Sequence, residues 1–102
     1  MILTGKCRED FEKWLNKEMY YLGRHNFEDR NNNIEDLGEN FQNCLIIEWF
    51  DSVGIYITSD YLELNKGFFS EILNENFEII KPTRQEALAE AIKKANEIYN
   101  SK

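Results

Sequence analysis

Two stretches of the chain repeat apolar residues at spacings of three and four, and the stretch between them does not. In the second, Pro82–Tyr99, the stripe is Leu88, Ala91, Ile92, Ala95 and Tyr99, flanked by Ala87 and Ile98. Glu90, Lys93, Lys94 and Glu97 fall mostly on the other face. This pattern predicts an amphipathic helix. Thr83 and Glu86 open it as T-x-x-E, a capping box, and Pro82 keeps the preceding segment extended. The alanines in the stripe predict close approach to a flat partner, a sheet. In the first stretch, Cys7, Phe11, Trp14, Leu15, Met19 and Leu22 predict a helix capped by Thr4 and stopped at Gly23.

Between the helices the pattern changes. Gly23–Asn43 is polar, with Asn31-Asn32-Asn33 as its clearest loop signal, though Ile34, Leu37 and Phe41 allow a short helical turn. Cys44–Phe50 is rich in branched and aromatic residues and reads as a strand; Asp51-Ser52 reads as a tight turn and Val53–Thr58 as the return strand. Tyr61–Leu64, Phe68–Leu73 and Phe77–Ile80 are further strand candidates, separated by Asn65-Lys66-Gly67 and Asn74-Glu75-Asn76. Phe68–Leu73 also fits helical spacing, and periodicity alone does not choose between the two for so short a run. The resulting expectation is an α+β fold. It has an N-terminal helix, a three- to five-stranded antiparallel sheet and a C-terminal helix, with both helices on one sheet face.

A chain of 102 residues is one domain, 1–102, long enough to bury a core without staples. Fourteen aromatics argue against disorder. Twelve Asn, with many Ile, Lys, Phe and Tyr, are what a low-GC coding bias gives, so Asn richness carries no message by itself. Cys7 and Cys44 have no metal-type spacing and read as free thiols of a reducing compartment. The opening residues are too short for a signal sequence and no apolar run reaches membrane-spanning length. The expected location is the cytoplasm of a bacterial host, away from the membrane.

Charge alters the picture most. The net charge is −7, and segments 1–22, 23–43, 44–82 and 83–102 carry 0, −3, −5 and +1. The predicted helices are near neutral, so acidity gathers in the loop and sheet. That balance disfavours direct binding to a phosphate backbone and suits a basic protein partner, such as a nucleic-acid-binding effector. The partner-binding candidates are Glu28, Asp29, Glu35, Asp36 and Glu39 in the loop, with Glu48, Glu63, Glu71 and Glu78 on the sheet.

Catalytic signals are thin. His25 is the only histidine, with no Cys or Ser at a triad-like spacing. Glu78 and Lys81 are one residue too far apart for a nuclease Glu-x-Lys element, and there is no phosphate loop and no GxGxxG. The expectation is a non-enzymatic protein without metal or cofactor.

Two resemblances add to this. Leu3-Thr4-Gly5-Lys6, Glu9–Leu15, Phe50-Asp51-Ser52-Val53-Gly54-Ile55, Thr83–Ala87 and Ala91–Asn100 resemble a group of small phage and prophage proteins from Bacteroidetes-type bacteria. The likeness covers about half the chain and leaves out Gly23–Asn43. It implies a viral accessory protein, a class that includes inhibitors of host systems such as anti-CRISPR proteins. The expected order of helix, strands and Ala-rich closing helix is also similar to the double-stranded-RNA-binding domain, which holds phosphates with a Lys-rich element at the start of its last helix. Here that position reads Lys81-Pro82-Thr83-Arg84-Gln85-Glu86. The leading expectation is an inhibitor acting through an acidic surface. The alternatives are an RNA-binding module using Arg84, Lys93 and Lys94, or a small phage structural or assembly protein.

Overall fold

The computed structural model describes residues 2–21, 38–62 and 67–102, with the side chains of 18–21 left out. Among the described residues, three helices and three strands follow one another as α1 (Gly5–Tyr21), α2 (Glu39–Ser52), β1 (Ile57–Leu62), β2 (Gly67–Ile72), β3 (Phe77–Lys81) and α3 (Arg84–Asn100). The strands form an antiparallel sheet in the order β1-β2-β3, and α3 lies across all three. The fold is α+β, with the closing helix on the sheet as the alanine stripe predicts. Helix α1 packs on α3 and α2.

Phe68–Leu73 resolves as strand: Gly67–Ile72 pairs on both sides, with β1 and with β3. The sequence reading of Cys44–Phe50 as a strand is corrected, because this segment lies inside α2. Its buried residues, Asn43, Ile46, Trp49 and Phe50, sit at helical spacing, while Phe41, Cys44, Glu48 and Asp51 face outward. A seven-residue window of branched and aromatic residues favours strand by propensity, but the fourteen-residue frame buries one helical stripe, and burial decides.

The supposed hairpin turn at Asp51-Ser52 is the end of this helix. Gly54 has φ +85°, the Ile55 amide donates to the Phe50 carbonyl at 2.9 Å, and the Gly54 amide donates to the Asp51 carbonyl at 3.3 Å. That is a Schellman cap, closed by burial of both Ile55 and Phe50. Strand β1 therefore begins only at Ile57 and runs through the segment read as a break between two strands.

The core draws Leu3, Cys7, Phe11 and Leu15 from the N-terminal region, Ile46, Trp49 and Phe50 from α2, Ile55, Ile57 and Ile72 from the sheet side, and Ala91, Ile92 and Ala95 from α3. Trp49 is its hub. Its ring lies 5.8 Å from Phe11, 5.0 Å from Phe50 and 5.1 Å from Tyr99, in edge or tilted geometry, so it contacts both other helices.

Thr83 caps α3 as expected, its hydroxyl accepting from the Glu86 amide at 3.2 Å. Thr4 behaves differently. Its amide donates to Asn96 Oδ1 at 3.0 Å, and its hydroxyl accepts from Asn96 Nδ2 at 3.0 Å. The free amide of the first turn of α1, at Cys7, donates instead to Asn100 Oδ1 at 2.9 Å, while Asn100 Nδ2 donates to the Thr4 carbonyl at 3.0 Å. The end of the last helix thus caps the start of the first. Glycine suits this junction because Gly5 has φ +59°, a backbone conformation that L side chains rarely adopt. Asn100→Ala is expected to cost about 1–2 kcal/mol, the usual worth of a lost cap and its companion bond. Thermal melts check it; an unchanged midpoint would contradict the cap.

Ser70 is fully buried on the sheet face that α3 covers, and its hydroxyl has no hydrogen-bond partner. A small side chain there lets the alanines of α3 approach. Ser70→Ala keeps the space and removes the orphaned hydroxyl, so stability should hold or rise by about 1 kcal/mol. Ser70→Leu should lose about 1–3 kcal/mol by overpacking. Urea titrations of the two variants should move in opposite directions.

Candidate interaction surface

Side chains alternate along a strand, and directly paired residues share a face. The register therefore sorts the sheet. Ile57–Ile72–Phe77, Ser59–Ser70–Ile79 and Tyr61–Phe68–Lys81 form rows on the face that α3 covers. Thr58–Glu71–Glu78, Asp60–Phe69–Ile80 and Leu62–Gly67 form rows on the other. Beyond β1 and β2, the Leu73 amide donates to the Tyr56 carbonyl at 3.0 Å and extends the pairing by one more row, Tyr56–Leu73, on this second face.

None of the described helices covers the second face. Tyr56 is 44%, Leu73 43% and Ile80 49% exposed, so large apolar groups stand in solvent. Asp60, Glu71 and Glu78 lie among them, and the described residues of this face include no Lys or Arg. Lys81, the one basic residue of the described strands, points to the α3 side in register with Phe68. Glu71 and Glu78 are directly opposed across β2 and β3, an unfavourable like-charge pair in the free protein.

The sequence candidates separate into three groups. Glu71 and Glu78 come together on the open face. Glu48 is exposed but belongs to α2, so its placement on the sheet is corrected: the helical frame that buries Asn43, Ile46, Trp49 and Phe50 leaves it on the outward side. Glu39 is exposed at the first turn of the same helix. Glu28, Asp29, Glu35, Asp36 and Glu63 lie outside the described residues. Asp60 falls between the two strand windows that propensity marks, Val53–Thr58 and Tyr61–Leu64, so neither window assigns it a face. The i, i+2 alternation Thr58-Asp60-Leu62 within a single strand is the signal that finds it.

The basic residues of the RNA-binding alternative are dispersed. The Arg84 guanidinium lies over the Phe68 ring at 5.2 Å, and Phe68 also meets Tyr61 at 5.3 Å. Lys93 and Lys94 pair loosely with Glu90 and Glu97, at 3.9 and 3.7 Å.

Titration is perturbed away from the sheet, where α1 meets α3. The Tyr99 hydroxyl donates to Asp10 Oδ2 at 2.5 Å, and Lys6 pairs with the same oxygen at 3.2 Å. The bond from Tyr99, then Lys6, holds the Asp10 carboxyl below its usual range. The same bond, with burial, pushes Tyr99 up to about 12. Burial, with Asp10 nearby, pushes the Cys7 thiol up to about 12. Both raised groups fold best in their neutral forms. Their contribution is complete below the ordinary thiol and phenol values, about 8.5 and 10, and is lost as pH rises toward 12. The Asp10 contribution runs the other way, present above about pH 4 and lost below it. Stability should therefore fall above about pH 9, and Cys7→Ala with Tyr99→Phe should flatten that fall. Denaturant midpoints at pH 7, 9 and 10.5 measure it; an equally steep fall in the double variant would contradict the assignment. Both cysteines are free, Cys7 buried and Cys44 exposed.

Among the described residues, no group of three or more His, Cys, Asp or Glu is placed to hold a metal, and no helix is long and apolar enough to cross a membrane. No protein-family model, curated protein or solved structure matches the chain.

Proposed function

We propose that this chain is a non-enzymatic interaction protein of phage type that binds the basic surface of a host nucleic-acid-handling effector, of the anti-CRISPR kind, and blocks it. The observation that carries the reading is the uncovered sheet face, where Asp60, Glu71 and Glu78 stand among exposed Tyr56, Leu73 and Ile80 with no described cation. Carboxylates on such a face steer it toward a basic groove and set its orientation, while apolar burial supplies affinity. Glu39, exposed in the first turn of α2, adds a further carboxylate beyond the sheet; Glu28, Asp29, Glu35 and Asp36 remain candidates by sequence alone. The cytoplasm is where such an effector would be met.

A DNA-cleavage assay with a panel of purified CRISPR nucleases tests the proposal. The expected result is dose-dependent inhibition of at least one effector that weakens as salt is raised, since exposed charges are screened. The opposing result is a chain that inhibits none of them and itself shifts a duplex RNA probe. If Arg84→Ala, Lys93→Ala and Lys94→Ala together abolished that shift, the RNA-binding reading would replace this one.

A further inference from the structure

We infer that the occupant of the open sheet face is a basic amphipathic α-helix of the partner, lying antiparallel or parallel to β2 and completing a helix–sheet–helix sandwich around this chain's three strands. The inference rests on the acidic-face reading above and adds the shape and spacing of what binds there.

The central strand fixes the mode of approach. Phe69 and Glu71 belong to β2, which is paired on both sides. A strand added at the edge of β1 or β3 would continue the ladder and leave these two side chains uncovered. Only something lying on the face reaches them. An extended peptide laid there would press unpaired backbone amides and carbonyls against Phe69, Ile80 and Leu62, at a cost for each. A helix satisfies its own backbone. Its size also matches. Three strands at about 4.8 Å spacing make a face about 10 Å across, and one helix is about 10–12 Å wide. The chain itself shows the match on its other side, where α3 alone touches all three strands.

Spacing and charge give the complementary sequence. Along β2 and its extension, Phe69, Glu71 and Leu73 follow one another on this face at about 6.6 Å, about 1 Å longer per step than the roughly 5.4 Å rise of one helical turn, a difference the splay of long side chains spans. The partner helix should then carry apolar residues at i and i+7 with Arg or Lys at i+3 or i+4 between them, the base seated between Glu71 and Glu78. An arginine there would relieve the like-charge opposition of that pair. A second copy of this chain is disfavoured by the same charges, because it would bring Asp60, Glu71 and Glu78 against their own copies. A bare phosphate backbone is disfavoured for the same reason.

The test uses the full chain, labelled with ¹⁵N, and two synthetic 15-residue peptides of equal length and charge that differ in composition only by two Ala-to-Pro exchanges. One is a helix former with Leu at i and i+7 and Arg at i+4; the other has the same residues reordered and broken by two internal prolines, which replace two alanines of the first. The expected result is saturable amide shifts at Thr58, Asp60, Phe69, Glu71, Glu78 and Ile80 with the helical peptide. Affinity should be at least about tenfold weaker with the proline peptide, and equally reduced for a Glu71→Lys, Glu78→Lys chain, one tenfold step being about 1.4 kcal/mol. Equal binding of both peptides at this face would overturn the helix and leave the acidic-face reading standing. Shifts confined to α3, or no shifts with either peptide, would overturn both. Shifts of the same residues on concentrating the chain alone would replace the helix by a second copy. The same shifts with a duplex RNA probe would replace it by nucleic acid.

Discussion

Replacing Trp49 with alanine is expected to remove about 3–5 kcal/mol of stability, the range for deleting a large buried aromatic. Whole domains of this kind are stable by about 5–15 kcal/mol, so the variant should be close to unfolding at 37 °C. The size follows from what the ring touches. Phe11 on α1 meets it edge-on, Phe50 on α2 and Tyr99 on α3 tilt against it, all within 6 Å, and only 2% of it is exposed. Removing it opens a cavity shared by three helices, which no single element can close by shifting. The tilted pairs contribute beyond area alone, about 0.5–1.5 kcal/mol each. Urea unfolding by far-ultraviolet circular dichroism measures the loss, and Val53→Ala, at a partly exposed position one turn on, serves as a comparison that should stay within about 0.5 kcal/mol. A Trp49→Ala chain as stable as the parent would contradict the helical frame of α2.

Glu78→Lys is expected to move stability and binding in opposite directions. In the free chain Glu78 opposes Glu71 across the β2–β3 pair. Lysine converts that like-charge contact into an ion pair, which should raise stability by about 0.2–1 kcal/mol. Binding to a basic partner loses one attraction and gains one repulsion on the same surface. At effective dielectrics typical of protein surfaces each close charge contact is worth up to about 4 kcal/mol, and even partial screening should weaken binding by at least about tenfold. A residue that lowers the stability of the free fold and raises affinity is what a binding surface contains and a merely solvated face does not. Thermal melts and the nuclease-inhibition titration, run on the same preparation, read the two effects. A gain in stability with unchanged inhibition would leave the pair without a role in binding.

Much of the fold was legible because it rests on long, repeated patterns. The stripe Leu88, Ala91, Ile92, Ala95 and Tyr99, flanked by Ala87, identified α3 and its flat partner, and the repeat of Cys7, Phe11, Trp14, Leu15, Met19 and Leu22 identified α1; Ala87, Ala91, Ile92, Ala95, Cys7, Phe11 and Leu15 are buried. The strands β2 and β3 were legible from the turn residues at Asn74–Asn76, two of which, Asn74 and Asn76, take positive φ. Helix α2 was not legible from Cys44–Phe50 alone, because branched and aromatic residues carry strand propensity and the deciding positions, Asn43 and the Gly54-Ile55 stop, lie outside that window. The asparagines illustrate a different limit. Composition made them look uninformative, yet Asn96 and Asn100 tie the last helix to the first through contacts more than ninety residues apart in sequence. No local pattern reports such a bond.

The candidate surface was half legible. Net charge by segment pointed to acidity between the two outer helices, and Glu71 and Glu78 were named from it. Which carboxylates share a face depends on strand register and on which segments are strands. Glu48 leaves the set once α2 is a helix, and Asp60 enters it once β1 runs unbroken from Ile57 to Leu62. The exposed Tyr56, Leu73 and Ile80 were invisible as a group for the same reason: three residues from three segments share a face only through the pairing.

The most direct test of the central claim, that the open sheet face is the binding surface, is a comparative capture from bacterial host lysate. Three immobilised chains are used: the parent, the open-face variant Glu71→Lys, Glu78→Lys, and the helix variant Glu90→Lys, Glu97→Lys. The account predicts a basic, nucleic-acid-handling protein retained at moderate salt by the parent and by the helix variant, and lost from the open-face variant while that variant melts no lower than the parent. The same protein retained by the open-face variant and lost from the helix variant would contradict it.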